Sequence, residues 1–199
     1  MNTNRYTSRQ SGFTLLEVLV SLTILVFGLL GLIGMQAQSQ IATFESYQRG
    51  QALILMQDMA DRLATNRKAA GCYAITTSTT AGTPYLGTSA TAATACAAGV
   101  GTTATRATAQ ADLIAWDNAL KGAAELSGVD KVGGVIGARG CVTFNATTNA
   151  YRVAVAWQGM AATVAPTAGD AAATCGKDLY GSEPQRREVS VTIRIATLT

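Results

Sequence analysis

The sequence predicts an α+β fold: a long N-terminal α-helix packed on an antiparallel β-sheet, with a short second helix. Three observations predict it. Residues 13–35 form one apolar run, an apolar stripe continues beyond Met35 at helical spacing, and two segments near the C-terminus alternate apolar and polar residues. A chain of 199 residues suits one domain plus an extension.

The first twelve residues, MNTNRYTSRQSG, are polar and carry Arg5 and Arg9 but no acid. Residues 13–35, FTLLEVLVSLTILVFGLLGLIGM, contain a single charge, Glu17. As a helix this run is about 34 Å long, enough to cross a bilayer. Basic residues ahead of it hold that end in the cytoplasm and place the chain beyond Met35 on the far side. The run is too long for a cleaved secretory signal, and Met35-Gln36-Ala37 is a poor small-x-small site. An ordinary signal anchor fits the length but gives no reason for a carboxylate four residues inside the apolar edge. An acid at the centre of a membrane helix costs about 2.5–3.5 kcal/mol, less near the interface, and a group kept at such a cost usually has a partner.

The hexapeptide Gly12-Phe13-Thr14-Leu15-Leu16-Glu17 resembles the type IV prepilin motif. The resemblance implies a dedicated peptidase that cuts between Gly12 and Phe13, leaving Phe13 as the new, N-methylated and cationic terminus. Glu17 is then the fifth residue, one helical turn from that amine. In a bundle of such helices the carboxylate of one subunit approaches the amine of another. An unpaired charge in an apolar core is costly, so the pairing would set axial register.

Beyond Met35, Ile41, Phe44, Ala52, Leu55, Met59 and Leu63 recur at helical spacing, opposite a polar face with Glu45–Arg49 and Asp58–Arg62 as i,i+4 pairs. Asn66 and Gly71 are stop signals, so one helix over about 13–68 is expected. Its first half is apolar all round. Its second half is amphipathic and needs a globular partner. Gly28, Gly31 and Gly34 read equally well as close-packing positions or as a weak stretch able to unwind. Many major pilins carry proline where Gly34 sits, so the chain departs there from the major-subunit pattern.

Residues 76–105 are low in complexity, 25 of 30 being Ala, Thr, Gly or Ser, and read as an irregular loop. A short helix is expected next at about 110–125, with Leu113, Trp116 and Leu120 on one face and Trp116 as core. Three strands come after it: 139–145, then 151–157 after a polar turn at Asn145–Asn149, then 189–195. One apolar sheet face would cover the amphipathic half of the first helix. Asn145-Ala146-Thr147 is a formal glycosylation sequon, more simply a turn asparagine.

Cys72, Cys96, Cys141 and Cys175 are even in number, with no CxxC and no histidine anywhere in the chain. This disfavours a metal centre and favours two disulfides in an exported protein. Of three possible connectivities, Cys72–Cys96 with Cys141–Cys175 closes the most local loops. Net charge is +3, and without Arg5 and Arg9 thirteen basic side chains face twelve acidic ones. That balance disfavours nucleic acid binding. Arg67-Lys68 and Arg186-Arg187 read as solvated helix-end or strand-entry charges. No P-loop, G-x-S-x-G or histidine acid–base group is present, so no enzyme activity and no cofactor are expected.

The order of landmarks, GFTLLEVLVSLTILVFGLLGL, ALILMQDMADRLATN, ADLIAWDNAL, YRVAVAWQG and VSVTIRIA, resembles that of PilV-type minor pilins. The resemblance implies a type IV pilin fold with a leader at 1–12, a membrane and assembly segment at 13–35, an amphipathic half at 36–70 and a head at 71–199. It implies partners: other minor and major pilins through the N-terminal helix, prepilin peptidase and the inner-membrane assembly platform; a tip adhesin, with the Ala/Thr-rich loop as contact surface, is a rival reading for which composition names no ligand. The head would be periplasmic before assembly and on the cell surface in a pilus afterwards. A type II secretion pseudopilin shares the N-terminal block. A signal-anchored periplasmic binding protein that never assembles is the rival of a different class.

Overall fold

The structure is a computed structural model that describes residues 12–90, 95–123, 126–128, 130–131, 133–166 and 173–196. Arg5, Arg9, Glu125 and Gly169 lie outside the described residues. The chain divides into two units, Met1–Thr43 and Phe44–Thr199. Helix α1, Leu15–Thr65, contributes to both.

In the first unit, every described side chain up to Gln40 is exposed, including the whole apolar run. Among the described residues one helix, α1, is long and apolar enough to cross a membrane. Ser21 and Thr23 turn their hydroxyls back onto the carbonyls of Glu17 and Leu19, so neither presents an unpaired donor to an apolar environment.

The second unit is built on a four-stranded antiparallel sheet. Its strands are β1 (Leu86–Gly87), β4 (Arg139–Asn145), β5 (Ala150–Gln158) and β6 (Arg186–Arg194), in the order β1-β4-β5-β6. Helix α2, Thr103–Leu120, precedes a small ribbon of β2 (Leu126–Ser127) and β3 (Asp130–Lys131). Because side chains alternate along a strand, the sheet has two distinct faces. Val142, Tyr151, Val153, Val155 and Trp157 point to the inner face, where they form one core with Met56, Met59 and Leu63 of α1 and Leu113, Trp116 and Leu120 of α2. Each such side chain contributes about 1.5–3 kcal/mol by leaving water. On the outer face, Cys141, Ala154 and Ala156 pack against Cys175 and Tyr180 of the segment before β6. A Cβ at Gly176 of that segment would stand 3.3 Å from the Ala156 Cβ, so the contact there takes only small side chains.

Trp116 fixes how α2 meets the sheet. It is fully buried, and its indole Nε1 donates to the Leu55 carbonyl of α1 at 2.8 Å. A Cβ at Gly140 of β4 would fall 2.3 Å from the indole ring. Only glycine lets the ring lie against the strand backbone.

Several expectations are corrected. Helix α1 ends at Thr65, and an irregular 3-10 segment, Arg67–Tyr73, continues the chain. The 76–105 stretch is not merely a loop: Leu86-Gly87 pairs with Gly140 and Arg139 as a fourth strand. Its pattern was too short to read, since Leu86 alone is apolar and Gly87 (φ 99°) is held by its N–H bond to Asp117 Oδ1. Helix α2 starts at Thr103, well before 110, because Thr102 and Thr105 cap it reciprocally; an Ala/Thr-rich sequence masked that start. Strand β6 begins at Arg186, and Arg186 is not solvated. It is 2% exposed and donates to Glu183 at 2.6 Å and Glu188 at 2.8 Å. Phe44, assigned to the apolar stripe, is exposed.

Candidate functional site

At the N-terminal motif, Thr14 caps α1. The Glu17 N–H is donated to Thr14 Oγ1 at 3.3 Å and to the Thr14 carbonyl at 3.1 Å. Thr14-Leu15-Leu16-Glu17 is therefore a helix-start signature in its own right, and an acid here also suits the positive end of the helix. The reciprocal bond of a capping box, from the Thr14 N–H to the Glu17 carboxylate, is not made. The Glu17 carboxylate is exposed and bonded to no described residue. Gly12 is open, with no atom within 4 Å of where its Cβ would stand, and Phe13 is 82% exposed. The junction and the acid thus lie one turn apart on an unencumbered helix start.

The four cysteines form two disulfides, Cys72–Cys96 and Cys141–Cys175, with Cα–Cα distances of 5.0 and 5.8 Å. The first ties the segment after α1 to the approach to α2. The second fastens the 173–181 segment to the outer sheet face. A polar network supplements the first bond. Arg62 of α1 pairs with Asp58 and Asp112, Tyr73 donates to Asp112 at 2.5 Å, and Asn66 donates to the Tyr73 hydroxyl. Burial, then the Asp112 bond, pushes the Tyr73 hydroxyl pKa up, so it stays a donor.

The expected Glu45–Arg49 pair does not form. Glu45 instead accepts from the backbone N–H of Met160 and Ala161 at 2.9 and 3.1 Å and pairs with Arg187 at 3.3 Å. Arg187 also donates to the carbonyls of Ala161 and Pro184. Partners more than a hundred residues apart outcompete a neighbour on the helix because two backbone N–H donors and the Arg187 guanidinium converge on the one carboxylate, more than Arg49 alone could offer. Burial raises the Glu45 pKa, but the Ala161 N–H, Arg187 and the Met160 N–H outweigh it and leave the carboxyl below its ordinary value of 4.5. A depressed carboxyl stabilises the fold above its ordinary pKa, and that contribution is lost as pH falls through the folded value. Amide exchange at Met160 and Ala161 should therefore be slow at neutral pH and speed up below pH 4.5, relative to intrinsic rates. Glu45→Ala should abolish the protection at every pH. Unchanged protection in that variant would show that the latch does not hold this segment.

Comparison with known families fits the N-terminal geometry. The family described as the prokaryotic N-terminal methylation motif matches residues 7–33, and the family described as type IV pilin Tt1218 matches residues 34–114. The chain is a type IV pilin. The long apolar helix start, the amphipathic half of α1 and the antiparallel sheet of this pilin make up the type IV pilin fold. No curated protein and no solved structure matches the chain.

In this pilin the structure brings Gly12, Phe13 and Glu17 to one helix start and brings the cysteines together in pairs. No cluster of three metal-ligating groups occurs among the described residues. Sequence reading missed the Thr14 cap, whose signal was the T-x-x-E spacing. It also missed the Glu45–Arg187 latch, which has no local signal.

Proposed function

We propose that this pilin is a PilV-type minor subunit of a type IV pilus, cut between Gly12 and Phe13 by prepilin peptidase and N-methylated on Phe13. Residues 1–12 are the leader. Residues 13–35 hold the precursor in the inner membrane with the head in the periplasm, and the same segment later packs among other pilins. The assembly platform moves the processed subunit into a priming or tip complex with other minor pilins, below which major pilins add.

The observation that supports this most is the Glu17 carboxylate. It is the one charge in the 13–35 run, stands one turn from the proposed new terminus, and has no described partner within the chain. An intermolecular cation answers that lack. Removing one member of a buried ion pair is strongly destabilising because the other charge stays uncompensated. Glu17→Ala should still be cut at Gly12 but should enter sheared pilus fractions less well, by about tenfold or more. Quantitative immunoblots of the membrane and pilus fractions test this. Equal incorporation of the variant would remove the pairing role, and a precursor that is not cut would remove processing instead.

A further inference from the structure

A cleft of about 290 Å³ lies between the 3-10 segment Arg67–Tyr73, the β4–β5 turn and the residues just after β6. Arg67, Lys68, Gly71, Asn149, Tyr151 and Ile195 line it, and among the described residues no carboxylate does. Both cations are exposed, and neither forms an ion pair or side-chain hydrogen bond. Positive charge accumulates around them. Arg106 is held beside Gly101, whose backbone abuts the Lys68 carbonyl. Arg194 pairs in register with Ala150, next to Asn149. The stretches 65–71, 99–108, 144–151 and 192–196 contain no Asp or Glu. Elsewhere in the head Arg62, Arg152, Arg186 and Arg187 are each paired with an acid, and Arg139 lies over the rings of Tyr85 and Tyr180.

The floor of the cleft is a second, independent feature. Tyr151 is 7% exposed, its ring stacks 4.7 Å from Phe144, and its hydroxyl bonds to no other residue. That hydroxyl is not among the sealed, unsatisfied atoms, so it reaches solvent, and Tyr151 is one of the residues that line the cleft. A tyrosine this buried normally satisfies its hydroxyl within the protein. Asn149, exposed and held at φ 47° in the turn, presents an amide with no protein partner.

Two uncompensated cations, a free hydroxyl, a free amide and an apolar edge from Ile195 call for a ligand with an oxyanion, neighbouring hydroxyl groups and a C–H face. The volume lies at the small end for ligand sites, which suits one sugar unit better than a peptide. A nucleic acid would need a longer basic track. We propose that this cleft binds the carboxylated sugar unit of an acidic polysaccharide. Arg67 and Lys68 hold the carboxylate by charge-assisted hydrogen bonds, while Tyr151 and Asn149 hold the ring hydroxyls. Binding by the head does not depend on processing or on pilus assembly.

The test is titration of the full chain, in non-ionic detergent, with sodium glucuronate, glucose and inorganic phosphate, followed by amide chemical shifts. Glucuronate should saturate with a Kd of about 1–10 mM, a weak-site affinity, and shift residues around Gly71, Asn149 and Ile195. The double variant Arg67→Gln, Lys68→Gln changes only exposed side chains and should weaken glucuronate at least about fivefold, as loss of charge-assisted bonds requires. Tyr151→Phe should weaken glucuronate but leave phosphate unchanged. No saturation, glucose binding as tight as glucuronate, or an unaffected double variant would overturn the proposal. So would phosphate binding equal to glucuronate with no effect of Tyr151→Phe, which would make the cleft a plain anion site.

Discussion

Trp116→Ala should cost the head about 3–5 kcal/mol, the range for deleting a fully buried large aromatic. Three losses combine at this position. The indole leaves the centre of the core shared by α1, α2 and the inner sheet face. The Nε1 bond to the Leu55 carbonyl disappears. The hollow cannot close easily, because Gly140 on the opposite wall has no side chain to move into it. Total stabilities of domains are only about 5–15 kcal/mol. Melting of the full chain in detergent should therefore fall by roughly 6–20 °C, taking about 2–4 °C per kcal/mol for a domain of this size. Tyr47→Ala, at an exposed position on α1, is the control and should shift melting little. A fall of less than about 2 °C for Trp116→Ala would mean that the indole is not the keystone of the core.

Gly12→Val should leave the precursor uncut, with residues 1–12 still attached in the membrane fraction. The argument is steric and local. A peptidase must bring its catalytic groups to the bond between Gly12 and Phe13, and a β-branched side chain on the residue before the cut blocks that approach and stiffens the backbone. Among the described residues beyond its chain neighbours the substitution meets nothing, since no such atom lies within 4 Å of the Gly12 Cβ position. The head should therefore fold and melt as in the parent, which separates a processing defect from misfolding. Intact mass of the membrane-extracted protein reads the result. A mature chain beginning at Phe13 in this variant would contradict the assigned cleavage position.

Much of the fold was legible because its elements carry strong periodic signals. The apolar run from Phe13, the stripe through Ala52, Met59 and Leu63, and the alternation of Tyr151, Val153, Val155 and Trp157 each repeat over several residues. Elements without such repetition were missed. Strand β1 is two residues long, and the start of α2 rests on a threonine pair rather than on a hydrophobic face. Single charges were the least legible. Glu45 had a plausible partner four residues away, yet it bonds to Met160, Ala161 and Arg187. Arg186 looked like a surface cation and is instead buried between Glu183 and Glu188.

The amino-acid order alone determined the two-part α1, its lone acid at Glu17 beside Gly12-Phe13, the two sheet faces and the even set of cysteines. These come from local spacing, and local spacing is written in the chain. Only the tertiary structure decided which charges pair, why Gly140 must lack a side chain, and that Arg67, Lys68 and Tyr151 share one cleft with no acid among its described lining residues. Those facts depend on segments far apart in sequence meeting in space. Coulomb forces and unpaired backbone groups select partners by distance after folding, not by position along the chain.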